Sequence, residues 1–181
     1  HNTVYLSGIA LSGTSNSYAF RSLNCPSSLD LRNNILWDAR TNQSGTVSHY
    51  ALFLNCSTNV TVNYNNYQFA QEFGRIGTAT YATLSAWRTA TGYDANSLEV
   101  NPQIVNLGGS LPVDYQTNTQ LTGIGIAAVP TDYNGISRVT PTMGAWEFYS
   151  NPVEVWINGL KVAEYVRLKL AFDAGNSGTH Q

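Results

Sequence analysis

Charge is scarce in this chain. Asp, Glu, Lys and Arg make up 11% of the 181 residues and the formal net charge is −2. The nine basic side chains are scattered, with only Arg167 and Lys169 close together, so no basic patch offers itself to nucleic acid. No run approaches the roughly 18 apolar residues of a membrane-crossing helix, and no insertion of that kind is expected. The three histidines, His1, His49 and His180, are too dispersed for a metal triad. No Asp-Asp pair occurs, which removes the neighbouring carboxylates that glycoside hydrolysis uses as acid and base. No serine lies in a nucleophile elbow, and neither cysteine has the setting of a nucleophile. Catalytic residues and a resident cofactor are therefore not expected. Calcium is the single cation for which the sequence offers fragments of a site.

What the chain does have is internal repetition. Asn24-Cys25-Pro-Ser-Ser-Leu29-Asp-Leu31 returns as Asn55-Cys56-Ser-Thr-Asn-Val60-Thr-Val62. Asn34-Ile35-Leu36-Trp37 falls in step with Asn65-Asn66-Tyr67 one repeat later. It also matches Asn2-Thr3-Val4-Tyr5 one repeat earlier, with a slip of one residue. A fixed period of this length means one supersecondary unit stacked on copies of itself, because a single unit cannot bury its own apolar face. Leu29-Asp-Leu31-Arg and Val60-Thr-Val62-Asn alternate apolar with polar residues, which is the period of a strand. Between them lie Asn, Gly, Ser and Thr, with no helical spacing.

This pattern predicts an all-β right-handed parallel β-helix, a solenoid with a short capping helix and a C-terminal hairpin and tail. Asn2, Asn34 and Asn65 would stack between neighbouring coils about 4.8 Å apart, their amides donating and accepting along the stack. The competing reading makes them ordinary turn asparagines in an antiparallel sandwich, and the paired Asn-Cys register speaks against it. Cys25 and Cys56 hold one repeat position, which admits either a disulfide or two stacked free thiols.

Taken in order, His1 to Gly8 is already a strand, and no helix or polar cap precedes it. The front coil, with Val4, Tyr5 and Leu6, is thus expected to be uncovered and open to edge-to-edge association. The chain begins at His1 rather than at a methionine, as a processed product or an excised piece does. Tyr18 to Leu23 reads as a strand and Gln71 to Thr80 as a connection. Tyr81 to Thr91 reads as a helix capped by Thr80 and stopped at Gly92, serving as a lid. Short strands follow between Asp94 and Asn106, a polar turn at Asp132 to Arg138, and a final strand from Met143 to Phe148. Coils and closing segment span 1–150. The remainder, 151–181, opens with Val153-Glu-Val155-Trp156-Ile157, then Asn158-Gly159, then Leu160 to Tyr165. Asn-Gly supplies the two positive φ angles of a type I′ turn, so this is a hairpin signal. Val155, Trp156 and Ile157 are candidates for contact between subunits.

Four motifs occur in succession: Tyr81-Ala-Thr-Leu84-Ser-Ala-Trp87 through Asp94-Ala-Asn96-Ser97, then Asn101-Pro102, then Asp132-Tyr-Asn134-Gly135-x-x-Arg138, then Met143-Gly-Ala-Trp146-Glu147-Phe148. Together they resemble the closing segment of right-handed parallel β-helix domains in large secreted and surface proteins of bacteria. Tyr165 to His180 resembles the opening segment of that class. The resemblance implies a pectate-lyase-like fold without implying lyase activity, since that architecture carries many functions.

The remaining candidates for chemistry are few. Arg167-Leu-Lys169 has an Arg-x-Lys spacing but falls outside the coils. Asp30 and Arg32 point outward as a lone pair. Asp94-Ala-Asn96 and Asp132-Tyr-Asn134 resemble calcium-loop fragments without the later acidic ligand. His49 reads as a loop or strand-edge residue. Tyr64, Tyr67, Tyr93 and Tyr133 would supply a sugar-stacking platform if exposed. Asn42, Asn55 and Asn59 head glycosylation sequons. The expectation is a non-enzymatic, extracellular or cell-surface module that associates with itself end to end, the C-terminal hairpin of one copy meeting the front coil of the next. A carbohydrate-binding or polysaccharide-lyase-like domain is the alternative.

Overall fold

The computed structural model describes residues 1–23, 28–56, 59–148, 153–158 and 160–165. Contacts divide the chain into two units, His1–Glu147 and Phe148–Gln181.

In the first unit the strands are β1 (Thr3–Leu6), β2 (Ile9–Ala10), β3 (Ser17–Ser22), β4 (Leu29–Arg32), β5 (Ile35–Asp38), β6 (Thr41–Asn42), β7 (His49–Leu54), β8 (Val60–Asn63), β9 (Asn66–Phe69), β10 (Glu72–Ile76) and β11 (Ala79–Tyr81). One helix, α1 (Leu84–Thr91), follows. The second unit has β12 (Val153–Ile157) and β13 (Leu160–Tyr165), paired antiparallel as the Asn-Gly signal predicts. The described residues are therefore mostly β-structure with one short α-helix.

Sheet topology follows the repeat. One sheet runs β1-β5-β9, a second β11-β10-β7-β3, a third β4-β8 and a fourth β2-β6. Every pairing among these strands is parallel except β10 with β11. Thr3 lies opposite Ile35 and Ile35 opposite Asn66; Ser17 lies opposite His49; Leu29 lies opposite Val60. Leu31 and Val62 are buried while Asp30 and Thr61 between their neighbours are exposed, the alternation expected of those strands. The main apolar cluster comprises Leu31, Leu36, Ala51, Leu52, Leu54, Val62, Tyr67, Phe73, Leu84 and Trp87. Burying each large member contributes about 1.5–3 kcal/mol.

The helix starts later than its sequence suggests. Thr80 is no cap: it pairs with Arg75 in the β10–β11 ladder, where Tyr81 pairs with Gly74. The first residue free to cap is Thr83, whose Oγ1 accepts from the Ala86 amide at 3.1 Å. Gly92, at φ 72°, ends the helix by donating to Arg88 O. The stretch from Gln71 to Thr80 is accordingly mostly strand rather than connection, turning at Gly77 with φ 56°.

Two further expectations are corrected. Between Asp94 and Asn106 the chain forms isolated bridges, Asn66 with Leu98 and Ile104 with Thr117, rather than strands. Met143 to Glu147 is a series of bends, because its backbone bonds elsewhere. Gly144 N donates to Asn33 O, Ala145 N to Thr3 Oγ1, and Tyr133 N to Ala145 O. Through these bonds, and through the Asn33 side chain bonded to both backbone groups of Ile124, residues 121–145 return to the N-terminal strands. The front of the stack is thus partly covered rather than bare.

Candidate functional site

The three stacked asparagines form one ladder that starts at the exposed Asn2 and is buried at Asn34 and Asn65. Asn2 donates from its backbone N and its Nδ2 to Asn34 Oδ1, both at 3.0 Å. Asn34 repeats the pattern toward Asn65 Oδ1 at 3.0 and 2.9 Å. At the next step the acceptor is Ser97: Asn65 N donates to its Oγ at 2.8 Å. Ser97 Oγ in turn donates to Asp94 Oδ1 at 2.5 Å. The left-handed corner residues are the preceding ones, Asn33 at φ 59° and Tyr64 at φ 53°, rather than the ladder asparagines.

Asp94 collects donors from four side chains. Trp87 Nε1 on α1 reaches Oδ2 at 2.9 Å, while Tyr67 Oη on β9 reaches Oδ1 at 3.0 Å. Asn65 Nδ2 adds a longer contact at 3.4 Å, and Ser97 completes the set. Arg88 Nε donates to the Asp94 carbonyl at 2.7 Å, fixing the turn after the helix. Burial raises the Asp94 carboxyl above its ordinary value, although these donors favour the charged form. Burial, then the neighbouring carboxylate, pushes the Tyr67 phenol well above its ordinary value. With no exposed surface at either residue, this node joins α1, β9 and the turn after the helix and offers nothing to a ligand.

A Ser, a His and an Asp do meet, at Ser17, His49 and Asp38, all buried. Ser17 Oγ lies 2.8 Å from Asp38 Oδ2 and 2.8 Å from His49 Nδ1. Its one proton goes to the Asp38 carboxylate, which leaves the hydroxyl oxygen to accept from His49 Nδ1. His49 Nε2 lies 2.8 Å from Asn42 Oδ1, and Asn42 Nδ2 donates to Val47 O. The serine sits between the other two instead of at the end of a relay, which is unlike a nucleophilic triad. His49 is thus an interior residue opening β7, because its ring closes a polar network; the loop or edge position expected for it is corrected.

The other sequence candidates are placed as follows. Cys56 is disulfide-bonded. The one other cysteine in the chain, Cys25, lies outside the described residues, as do Arg167 and Lys169. Asp30 and Arg32 pair with each other at 2.5 Å on the surface, and this hydrogen bond holds the Asp30 carboxyl below its ordinary value. Asp132 Oδ1 accepts from the amides of Asn134 and Ile136, and Oδ2 from that of Glu147, so the carboxylate organises its own loop. Arg138 pairs with Glu147 in the interior nearby. Among the described residues no group of three or more His, Cys, Asp or Glu is arranged to hold a metal ion.

The tyrosines do not assemble into a platform: Tyr67 is buried, Tyr93 packs near Trp87, and Tyr133 alone is well exposed, against Trp146. Val4, Tyr5 and Leu6 are half-buried on β1, with Tyr5 edge-on to Trp37 at 5.4 Å. Val155, Trp156 and Ile157 lie in β12.

Sequence reasoning missed the outer side of the second sheet. Arg21, Phe53 and Arg75 occupy one register row across β3, β7 and β10. The two guanidinium groups lie 5.7 and 5.6 Å from the Phe53 ring centre. Tyr18 stacks on Tyr50 at 5.4 Å and 10° beside them. No single repeat shows this row, since Arg21 and Arg75 lie two strands apart in the sheet. Compared with protein-family models, with curated proteins and with solved structures, the chain matches none.

Proposed function

We propose that this chain is a right-handed parallel β-helical module, non-enzymatic and extracellular, that builds a larger surface assembly by associating with itself end to end. The observation carrying this reading is that β1, β2, β3 and β4, the strands of residues 3–32, each end a sheet and each pair in parallel with the strand one repeat later. Among the described residues none of them has a strand partner on its other side. Such edges carry unpaired donors and acceptors and are satisfied most directly by another strand. The parallel pairing of successive repeats supports the β-helix, and the resemblance of the closing segment supports the same class. A disulfide at Cys56 suits an oxidising compartment outside the cytosol. Contact between one end and a different surface on the next copy does not close on itself, so the product is a filament.

Sedimentation velocity over a hundredfold range of protein concentration tests the proposal, with electron microscopy of the heaviest fraction. Concentration-dependent growth to open-ended rods is expected. A single monomeric species at every concentration would remove the assembly role.

Carbohydrate binding is the second reading, carried by the exposed Tyr133 ring against Trp146. A glycan array, repeated with Tyr133→Ala, distinguishes it: specific binding lost in the variant would favour this reading over a purely structural one.

A further inference from the structure

We propose that His49 carries a proton on both ring nitrogens in the folded chain, an imidazolium linked through Ser17 to the Asp38 carboxylate, and that this charge fastens the loop between β6 and β7 as a pH-sensitive clasp. The inference goes beyond the assembly reading and does not depend on it.

The charge follows from the donors and acceptors along one line of contacts. Asp38 accepts at both oxygens, Oδ1 from the Arg40 amide at 3.0 Å and Oδ2 from the Ser17 hydroxyl at 2.8 Å, as an ionised carboxylate does. With its proton committed there, Ser17 Oγ accepts from His49 Nδ1 at 2.8 Å. At the far side of the ring, Nε2 lies 2.8 Å from Asn42 Oδ1, which has no proton to give. Asn42 is held in that orientation by its own amide. Its Nδ2 donates to the Val47 carbonyl at 2.6 Å, and turning the group over would set two oxygens against each other at that distance. Nε2 must therefore donate as well. A neutral ring has one proton to give, and this site takes two.

Water cannot settle the account, because His49 and Asp38 are both buried. A buried acceptor facing another acceptor is costly, whereas a buried charge with a counter-charge and filled hydrogen bonds is tolerated. Four elements surround the ring. β3 supplies Ser17, β5 supplies Asp38 and β6 supplies Asn42. On β10, Glu72 stands opposite Tyr50, the residue after His49, and before it the uncharged Gln71 accepts from the His49 amide. Arg40, the cation nearest to Asp38 in the chain, forms no salt bridge with it among the described residues. The Asp38 carboxylate is thus left to the imidazolium.

The clasp closes the base of a loop. Asn42 and Val47 stand at its two ends, joined by the Asn42 amide, and His49 ties that joint to the start of β7. Residues 43–46 between them are exposed, and Gln43 N to Ala10 O and Ser44 Oγ to Leu11 O hold them to the preceding repeat. When base removes one ring proton, a bare nitrogen faces either Ser17 or Asn42. The joint then loosens first at Asn42, whose bond to the ring is the one that leaves the buried interior.

Nuclear magnetic resonance of the ring nitrogens in the full chain tests this, with His1→Gln and His180→Gln identifying the His49 signals. Protons on both nitrogens of His49 are expected at about pH 7.5, where an ordinary histidine is mostly neutral. As the ring loses one of them at higher pH, exchange of the Ser48 and His49 amides, corrected for its intrinsic pH dependence, should speed up about tenfold. Asp38→Asn should leave His49 with a single ring proton at the same pH. If that variant does not fold, the wild-type spectra decide alone. One proton on the ring overturns the assignment, and its position on Nε2 would transfer the extra proton to Asp38. A doubly protonated ring that titrates without any change in amide exchange overturns the clasp.

Discussion

Trp87 Nε1 donates to Asp94 Oδ2 across 2.9 Å, with both residues fully buried. That bond ties the helix to the turn that follows it, and the same carboxylate holds Tyr67 from β9 and Ser97 from its own turn. Asp94→Ala would leave three buried donors without their acceptor and open a cavity. A loss of about 4 kcal/mol is expected in urea unfolding. Asp94→Asn keeps the volume but turns an amide toward one of the donors, and about 3 kcal/mol is expected. Equal stability in both variants and wild type would show that the node does not hold the closing segment.

The same group makes a contribution that depends on pH. Burial raises its folded value above the unfolded one, so the folded chain takes up this proton first as acid is added. Its contribution is therefore fully present below the unfolded aspartate value and is lost as pH rises through the raised folded value. The difference in urea midpoint between wild type and Asp94→Asn, measured from pH 3 to 8, should change with this sign and level off above the raised value. A difference independent of pH would contradict it.

Asn34 is the middle of the ladder, and Asn34→Ala removes its Nδ2 donor to Asn65 and its Oδ1 acceptor for Asn2 while keeping the backbone N–H to Asn65. A loss of about 2–3 kcal/mol is expected from chemical unfolding. Asn34→Asp keeps the acceptor and loses the Nδ2 donor to Asn65 Oδ1 and Arg32 O, so it should also destabilise, at neutral pH most of all. A variant as stable as wild type would mean that the ladder adds nothing to register.

The bond at Cys56 closes a loop if its partner is the chain's one other cysteine. Reduction, or Cys56→Ser, should lower stability by about 3 kcal/mol, and mass after alkylation of the unreduced protein should show no free thiol. Alkylation of the native protein at either cysteine would argue otherwise.

Ser17→Ala takes away the hydroxyl between Asp38 and His49 and leaves two polar atoms facing each other without it. About 2 kcal/mol of destabilisation is expected, measured by thermal unfolding.

The asparagine echo was legible because a repeat position that demands an amide demands it every time; Asn2, Asn34 and Asn65 share one register. Its continuation to Ser97 was not, because the closing turn satisfies the same backbone donor with a different side chain. The β10 strand was hidden by Gly74, whose missing side chain breaks the alternation, yet an added Cβ there would lie 3.1 Å from Leu52 O. Helix α1 was readable from Leu84, Trp87 and Gly92, and its start was not, since pairing of Thr80 with Arg75 outweighs local capping preference. The bends at Met143 to Glu147 depend on Asn33 and Thr3, more than a hundred residues away, which no local pattern encodes.

The backbone N–H groups of Asn2, Asn34 and Asn65 all donate in the same direction along the column, toward Ser97 and Asp94. Such a column needs a last member that only receives, and Asp94 is that member. The number of repeats is therefore written into chemistry as well as length: splicing in another Asn-bearing repeat between Asn34 and Asn65 extends the column, while one placed after Ser97 would meet a group with nothing to hand on.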